Sequence, residues 1–458
     1  MSENAQPPCR PPALLLITDL VVICRHLQLL TDAESRGLAV LAVVGPETPA
    51  DRLAAHRADP AHPLSRATEV VQVPDCTLDT LVGAVHGLLR AYDVKALLNC
   101  GEVFAEPAGT LAEALGLPGP GAHAARVSRN KVLQRLAAPD LAPRWTLVGA
   151  EARAAARGHD GDGEDDDSAA VLGRLLGDVP LPAVLKPAGR MSSSGVRAVG
   201  TLAELRAELA HYPEDETLLL EERARGAEYS VEALVYAGET VWAGVTAKDT
   251  NECATRWFTE TGHTSPAPAL GAADEARLLE ANARLLAAIG FGTGMSHAEF
   301  RLGPDGVVLM EIAVRPPGDA ITKLWHLASG RPLEPALLDL ALGERPLVAP
   351  ARRRARQLYL DHPHGVLADV TCDETAASWI TRDGAWPEFV PTTPDAPPRL
   401  CAVVVTREPG DPLGELTDSG GRAVSIVVDA PEGEDIHAVA ERFAKTVRVR
   451  TQPNRSTP

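Results

Sequence analysis

The sequence predicts a multidomain protein mixing α/β and α+β organisation, with a doubly wound parallel-sheet domain at its N-terminal end and a mostly β region at its C-terminal end. Three observations predict it. Aliphatic runs of strand length alternate with helical patterns over the first 120 residues. Residues 182–330 are rich in strand signals and turn residues, and from Pro346 onward short strands recur before a closing helix.

In the first region the strand-length runs are residues 13–18, 38–45, 69–73 and 95–100. The clearest helix spans 77–92, where Leu78, Leu81, Val82, Val85, Leu88 and Leu89 form one apolar stripe. This domain, 13–120, ends near Pro118 and Pro120. No glycine-rich dinucleotide fingerprint follows the first strand, because Asp19-Leu20-Val21 stands there, so a dehydrogenase has little support. The central domain is expected over 121–345. Within it, residues 151–170 are Ala, Gly, Asp and Glu without apolar period and read as a flexible acidic loop. A C-terminal α/β domain follows over 346–450, with strands at 400–406 and 423–428 and a helix at 435–446. The ends, 1–12 and 451–458, are expected to fray.

A chain of 458 residues, 45% hydrophobic and 23% charged, is long enough for several cores. A formal net charge of -18 disfavours nucleic acid and anionic membrane as partners, since phosphate binding needs a basic surface. Small molecules are the expected partners. The seven cysteines have no C-x-x-C spacing, so neither a zinc site nor a disulfide framework is indicated, and a reducing cytoplasm fits. Residues 13–24 are apolar but interrupted by Asp19, which makes them a buried strand rather than a membrane span.

Chemistry concentrates in the middle. Residues 189–195, Gly-Arg-Met-Ser-Ser-Ser-Gly, follow the strand-like run 183–187, which contains Lys186-Pro187. Small residues let backbone N–H groups approach phosphate oxygens, and the lysine places a positive charge beside them. The loop is not a Walker motif, and alone it is equally a plain flexible loop. Further on, residues 296–301, a Gly303-Pro304-Asp305-Gly306 turn and residues 307–315 read as a β-hairpin. With 304–306 as its loop, Glu299 faces Glu311, His297 faces Ala313, and Met310, Ile312 and Val314 bury the opposite face. Two opposed carboxylates destabilise a sheet unless a divalent cation bridges them. The competing account is a solvent-facing hairpin with its charges on the wet side.

Taken together these motifs resemble the ATP-grasp superfamily, and within it the L-amino acid ligases. Leu-Pro-Gly-Pro (117–120), Ser-Arg-Asn-Lys (128–131), Leu-Lys-Pro (185–187) with the serine loop, and Leu-Leu-Glu-Glu (219–222) occur in the family's order. Residues 226–232, Phe258-x-Glu260-x-Gly262-His263, His297-x-Glu299 and Glu311-x-x-x-Arg315 complete the series over about 115–332. The resemblance implies an ATP-grasp fold whose flanking regions are the family's flanking domains. It implies that Lys131 and Lys186 contact ATP phosphates or the adenine edge, and that Ser192, Ser193, Ser194 and Gly195 form a lid. Glu221, Glu222, Arg223 and Ala224 would line adenine and Glu228 would accept the ribose hydroxyls. Glu299 and Glu311 match the metal ligands, for Mg²⁺ as two ions or Mn²⁺ in its place. Arg315 matches the arginine that steadies an acyl phosphate, with Lys186 beside it in catalysis. Glu260, His263, His297 and Gly318 fall at the substrate end.

One position departs from the family. Its usual Glu-x-Asn-x-Arg is Glu311-Ile312-Ala313-Val314-Arg315 here, and an alanine cannot ligate a metal. Water or His297 could compensate. The activity implied is an ADP-forming ligase that phosphorylates a carboxylate, plausibly an amino acid's, and passes the acyl group to an amine, with a homodimer as the expected assembly. The rivals are a carboxylase-type enzyme using carbonyl phosphate and an ATP-binding regulatory protein without turnover. Neither substrate is fixed by a motif.

Overall fold

The computed structural model describes residues 10–157, 166–380 and 384–453. The four aliphatic runs form β1 (Pro12–Ile17), β2 (Ala39–Val44), β3 (Glu69–Gln72) and β4 (Asp93–Asn99), all parallel in the order β3-β2-β1-β4. Helices cover both faces, because Leu14 and Leu16 face one core and Ala13, Leu15 and Ile17 the other. The predicted amphipathic helix spans Leu78–Ala91, capped by the Thr77 hydroxyl. The order reverses at β1, so the ends of β1 and β4 open a crevice.

A second sheet, β5 (Trp145–Leu147), β6 (Ala183–Pro187), β7 (Arg197–Val199) and β8 (Leu218–Glu222), runs β5-β8-β6-β7. Helices Ala150–Arg157 and Asp166–Leu176 pack on it, which corrects the expected acidic loop over 151–170; the intervening 158–165 lie outside the described residues. Alanine is the best helix former, and Ala152, Ala156 and Leu172 join the core of this layer, so a weakly apolar stretch still buries a face.

The third sheet has nine strands. It begins with β9 (Ala227–Tyr236), β10 (Glu239–Thr250), β11 (Glu260–Ser265), β12 (Gly294–Gly303) and β13 (Gly306–Ala313). It continues with β14 (Arg353–Tyr359), and beyond β15 (Gly365–Cys372) it takes up β16 (Ala377–Trp379) and β17 (Arg399–Val405). After β18 (Pro412–Leu413), β19 (Val424–Pro431) enters it too, giving β13-β12-β9-β10-β11-β14-β19-β17-β16. A boundary at 345/346 therefore cuts one continuous sheet at the β11–β14 ladder. A small sheet pairs β15 with β18 and β20 (Val447–Gln452), and the helix Ile436–Ala444 covers β19. The expected frayed ends are ordered at Pro12, Thr451 and Gln452, while 1–9 and 454–458 lie outside the described residues.

The β12–β13 hairpin turns at Pro304-Asp305, with Gly303 opposite Gly306, one residue tighter than the sequence suggests. A bulge after Glu299 restores the expected register, so Glu299 faces Glu311 and His297 faces Ala313. The bulge also corrects one assignment: Leu309, not Met310, joins Ile312 and Val314 in the core, and Met310 turns to the cavity. Among the described residues no helix is long and apolar enough to cross a membrane.

Candidate active site

The floor of the site is the polar face of the large sheet, and cross-strand register builds it. Arg301, Glu228, Lys248 and His263 are successive neighbours across β12, β9, β10 and β11. A parallel row runs Glu311, Glu299, Ser230 and Thr246, and a third runs Ala313, His297 and Glu232. The opposite face carries Val231, Ala233, Ala298 and Phe300 into the core, so the period of two holds these charges on one side. Lys131, Lys186 and the 188–196 loop form the roof, over a cavity of about 190 Å³.

At the metal-type end, each carboxylate has a cation beside it. Lys131 Nζ lies 3.0 Å from Glu311 and also donates to the Arg190 carbonyl at 2.7 Å. Lys248 pairs with Glu299, and lies 3.2 Å from Glu260 and 3.7 Å from Glu228. His297 bridges Glu232 (2.9 Å) and Glu299 (3.1 Å). Glu232 is wholly buried and accepts from Ser230, Thr246 and the Trp325 indole as well. Burial opposes the His297 charge, yet these two partners outweigh it and raise its pKa to about 8. Burial likewise disfavours the Glu299 anion, but Lys248 and His297 hold it well below the usual carboxylate range. Among the described residues no cluster of three or more His, Cys, Asp or Glu could hold a metal by itself. Glu299 and Glu311 are thus a two-carboxylate set that suits Mg²⁺ only when phosphate oxygens and water complete the shell.

At the nucleotide-type end, Lys186 Nζ sits 2.6 Å from Glu221, which Arg135 also engages at 2.8 Å. Desolvation lowers Lys186 to about 8 despite the attraction of Glu221. The Glu221 side chain is therefore spent inside the protein, and what it and Glu222, Arg223 and Ala224 offer the cavity is an edge of chain after β8. Glu228 is engaged by Arg301 at 2.9 Å, and burial pushes its pKa up. Ser192, Ser193 and Ser194 line the cavity, with Ser192 and Ser193 at φ of 58° and 57°. The Ser194 N–H donates to the Met191 carbonyl at 3.1 Å and the Val196 N–H to the Ser193 carbonyl at 3.2 Å, so these groups close turns within the loop. Gly195 does not line the cavity; its φ is 72° and its carbonyl accepts from the Tyr212 hydroxyl, which anchors the loop.

The remaining end holds Arg315 and Gly318 together with residues that the sequence did not single out. Arg315 is paired with Glu102, shared with Arg129, and Gly318 lines the cavity beside Asp319. Asp319 has φ 52° and binds Arg422 through both oxygens (2.8 and 3.0 Å) and His263 at 2.7 Å. Ser419 donates from its hydroxyl to Glu260 at 2.6 Å and from its N–H to the Ser192 carbonyl at 3.2 Å. The sequence-predicted residues thus converge on one cavity, Gly195 excepted. Arg301 and Lys248 were legible as polar residues in register with Glu228; Asp319, Ser419 and Arg422 carried no signal, since loop residues are placed by tertiary packing.

Two sheets thus enclose one cavity, with Lys131 and Lys186 above and the paired acids Glu299 and Glu311 below. Residues 179–323 match the ATP-grasp domain family. The chain carries the ATP-grasp fold. The L-amino acid ligase of Bacillus licheniformis superposes with a TM-score of 0.68 at 16% identity, covering 97% of this chain and 100% of that one. Phosphoribosylglycinamide synthetase of Anaerococcus prevotii gives 0.66 at 13% identity, covering 96% and 100%. In sequence, "Uncharacterized protein y4rH" of Sinorhizobium fredii is 26% identical over 407 residues, 85% of this chain and 76% of its own.

Proposed function

We propose that the protein is an ADP-forming ligase that joins a carboxylate, that of an amino acid, to an amine through an acyl phosphate, giving an amide. The observation that carries this is the opposed pair Glu299 and Glu311 lying in one cavity with Lys131, Lys186, the serine loop and Arg315. ATP would lie with its phosphates under the serine loop, its adenine along residues 221–224 and its ribose toward Glu228. Glu299 and Glu311 would hold Mg²⁺ against phosphate oxygens, where the ion supplies charge neutralisation for phosphoryl transfer. The substrate carboxylate attacks the γ-phosphorus, the bond to the β–γ bridging oxygen breaks, and ADP leaves. Lys186 and Arg315 stabilise charge on the transferred group. An uncharged amine then attacks the acyl carbon, inorganic phosphate departs and a proton is released. The serine loop keeps water from the acyl phosphate meanwhile.

Ala313 favours one competing reading, an ATP-binding protein without turnover, because it removes the customary amide ligand. A single experiment separates them. Mg·ATP is incubated with pooled amino acids and other carboxylates, bicarbonate included, with hydroxylamine as a general amine; ADP and hydroxamates are measured. Carboxylate-dependent ADP with matching hydroxamate is the expected result, and Glu311→Ala should lower it at least a hundredfold. ATP binding without ADP from any pool would overturn the ligase.

A further inference from the structure

Arg301, on β12, lines the nucleotide-type end of the cavity together with Arg223, Ala224, Glu228 and Phe258. Its Nε and Nη2 both donate to one oxygen of Glu228, Oε2, at 3.1 and 2.9 Å. Its Nη1 donates to the Ala224 carbonyl at 3.3 Å, and its Nη2 also lies 2.5 Å from Glu252. The guanidinium carbon stands 6.0 Å from the Phe258 ring centroid. A planar fork of donors holds several acceptors in a fixed relation, which a lysine cannot do. With all three nitrogens engaged and 5% of its surface exposed, Arg301 acts on a ligand through these neighbours. Glu252 extends the set, for its Oε2 takes Arg223 at 2.9 Å, and the Arg223 guanidinium lies 5.5 Å from the same Phe258 ring. The Phe258 carbonyl in turn accepts from the Ser193 hydroxyl at 3.0 Å, so the serine loop rests on this group. The Glu228 carboxylate is left asymmetric. Its Oε2 carries two donors, whereas Oε1 accepts no hydrogen bond among the described residues and has Lys248 Nζ 3.7 Å away. A buried ion-pair network of this kind contributes little net stability, which leaves the placement of its members as what it supplies.

Resting on the reading of this cavity as a nucleotide site, we propose that Arg301 is the positioning residue for the nucleoside. By saturating Oε2 of Glu228 it leaves that carboxylate one oxygen to offer, so that one ribose hydroxyl is read and the other is not. Through Ala224 the same guanidinium fixes the edge of chain along which the base lies, and base and sugar are placed as one unit.

The test is calorimetry of the full chain with the magnesium complexes of ATP, 2′-deoxy-ATP, 3′-deoxy-ATP and inorganic tripolyphosphate, which carries the phosphates without the nucleoside. One deoxynucleotide should bind at least tenfold more weakly than ATP and the other within threefold of it. Arg301→Lys keeps the charge but not the fork, and should narrow the gap between the two deoxynucleotides to threefold or less. Tripolyphosphate should bind the wild-type and Arg301→Lys chains within threefold of each other, a result that general damage to the fold would not allow. Arg301→Gln takes the place of Arg301→Lys if that variant does not fold. Equal losses from the two deoxynucleotides, no loss from either, or a gap that persists in the variant would overturn the proposal and leave the nucleotide site standing. Failure of all four ligands to bind the wild-type chain would sink the nucleotide reading itself, and the proposal with it.

Discussion

Lys186 shows how burial tunes the charge of a residue in the cavity wall. Its pKa, lowered to about 8 by desolvation, leaves it charged below that pH and neutral above it. If it meets a phosphate, the dissociation constant for Mg·ATP should rise about tenfold per pH unit above 8, measured by calorimetry between pH 7 and 9.5. Lys186→Arg, which keeps its charge, should flatten that slope. Asp19 makes the opposite case at the mouth of the β1–β4 crevice. Burial and the neighbouring Glu47 raise it to about 6, Arg315 opposing, and its Oδ1 has no hydrogen-bond partner. Because the folded pKa exceeds the unfolded value near 3.8, the folded state holds this proton longer. Stability falls as pH rises from about 4 to 6, and the whole penalty is present above 6. Asp19→Asn should therefore raise the melting temperature at pH 7.5, by an amount equivalent to about 1–3 kcal/mol, and leave it unchanged at pH 4.

Among the elements, the β9 start and the β12 end lie against each other with no room for a side chain. Gly226 has φ 105°, and a Cβ there would stand within bonding distance of the Leu302 carbonyl oxygen. Gly226→Ala should cost about 2 kcal/mol or more in urea unfolding and weaken Mg·ATP binding, since residues 221–224 lead directly into this point. Of the strands around it, the β12–β13 hairpin was legible beforehand. Period-two polarity in residues 297–301 placed His297 and Glu299 on one face, and the opposition of Glu299 to Glu311 held although the turn is one residue shorter. The bulge that rescues that register was not legible, because it trades one unpaired residue at Met310 for correct burial of Leu309, a choice only the packed core decides. The helices flanking 158–165 were missed for a related reason. Alanine carries little hydrophobic signal, and its low cost of ordering appears only once a partner sheet exists.

On the scale of the whole molecule, the nine-stranded sheet defeats any division of the chain at 345. Strands from both sides of that point pair through β11 and β14, and the core that includes Leu324, Leu327, Ala355 and Val427 draws on both. A chain ending at residue 345 would expose the β11 edge and lose Ser419 and Arg422, so it should fail to give a monodisperse, cooperatively unfolding species by size exclusion and circular dichroism. Short strands recurring from Pro346 onward suggest a separate region there, and no local pattern announces that a later strand will return to an earlier sheet.

The turn at residues 418–422 touches the serine loop through Ser192, the floor through Glu260 and the Arg315 end through Asp319. Three walls of the cavity thus lean on one short segment of distant chain. On the ligase reading, a serine loop that lifts to admit nucleotide gives up its bond to Ser419, and a substrate that re-aims Arg422 pulls on the same turn. Fuel and cargo would then be read together, a molecule of ATP arriving alone meeting a door whose latch is set from the other room.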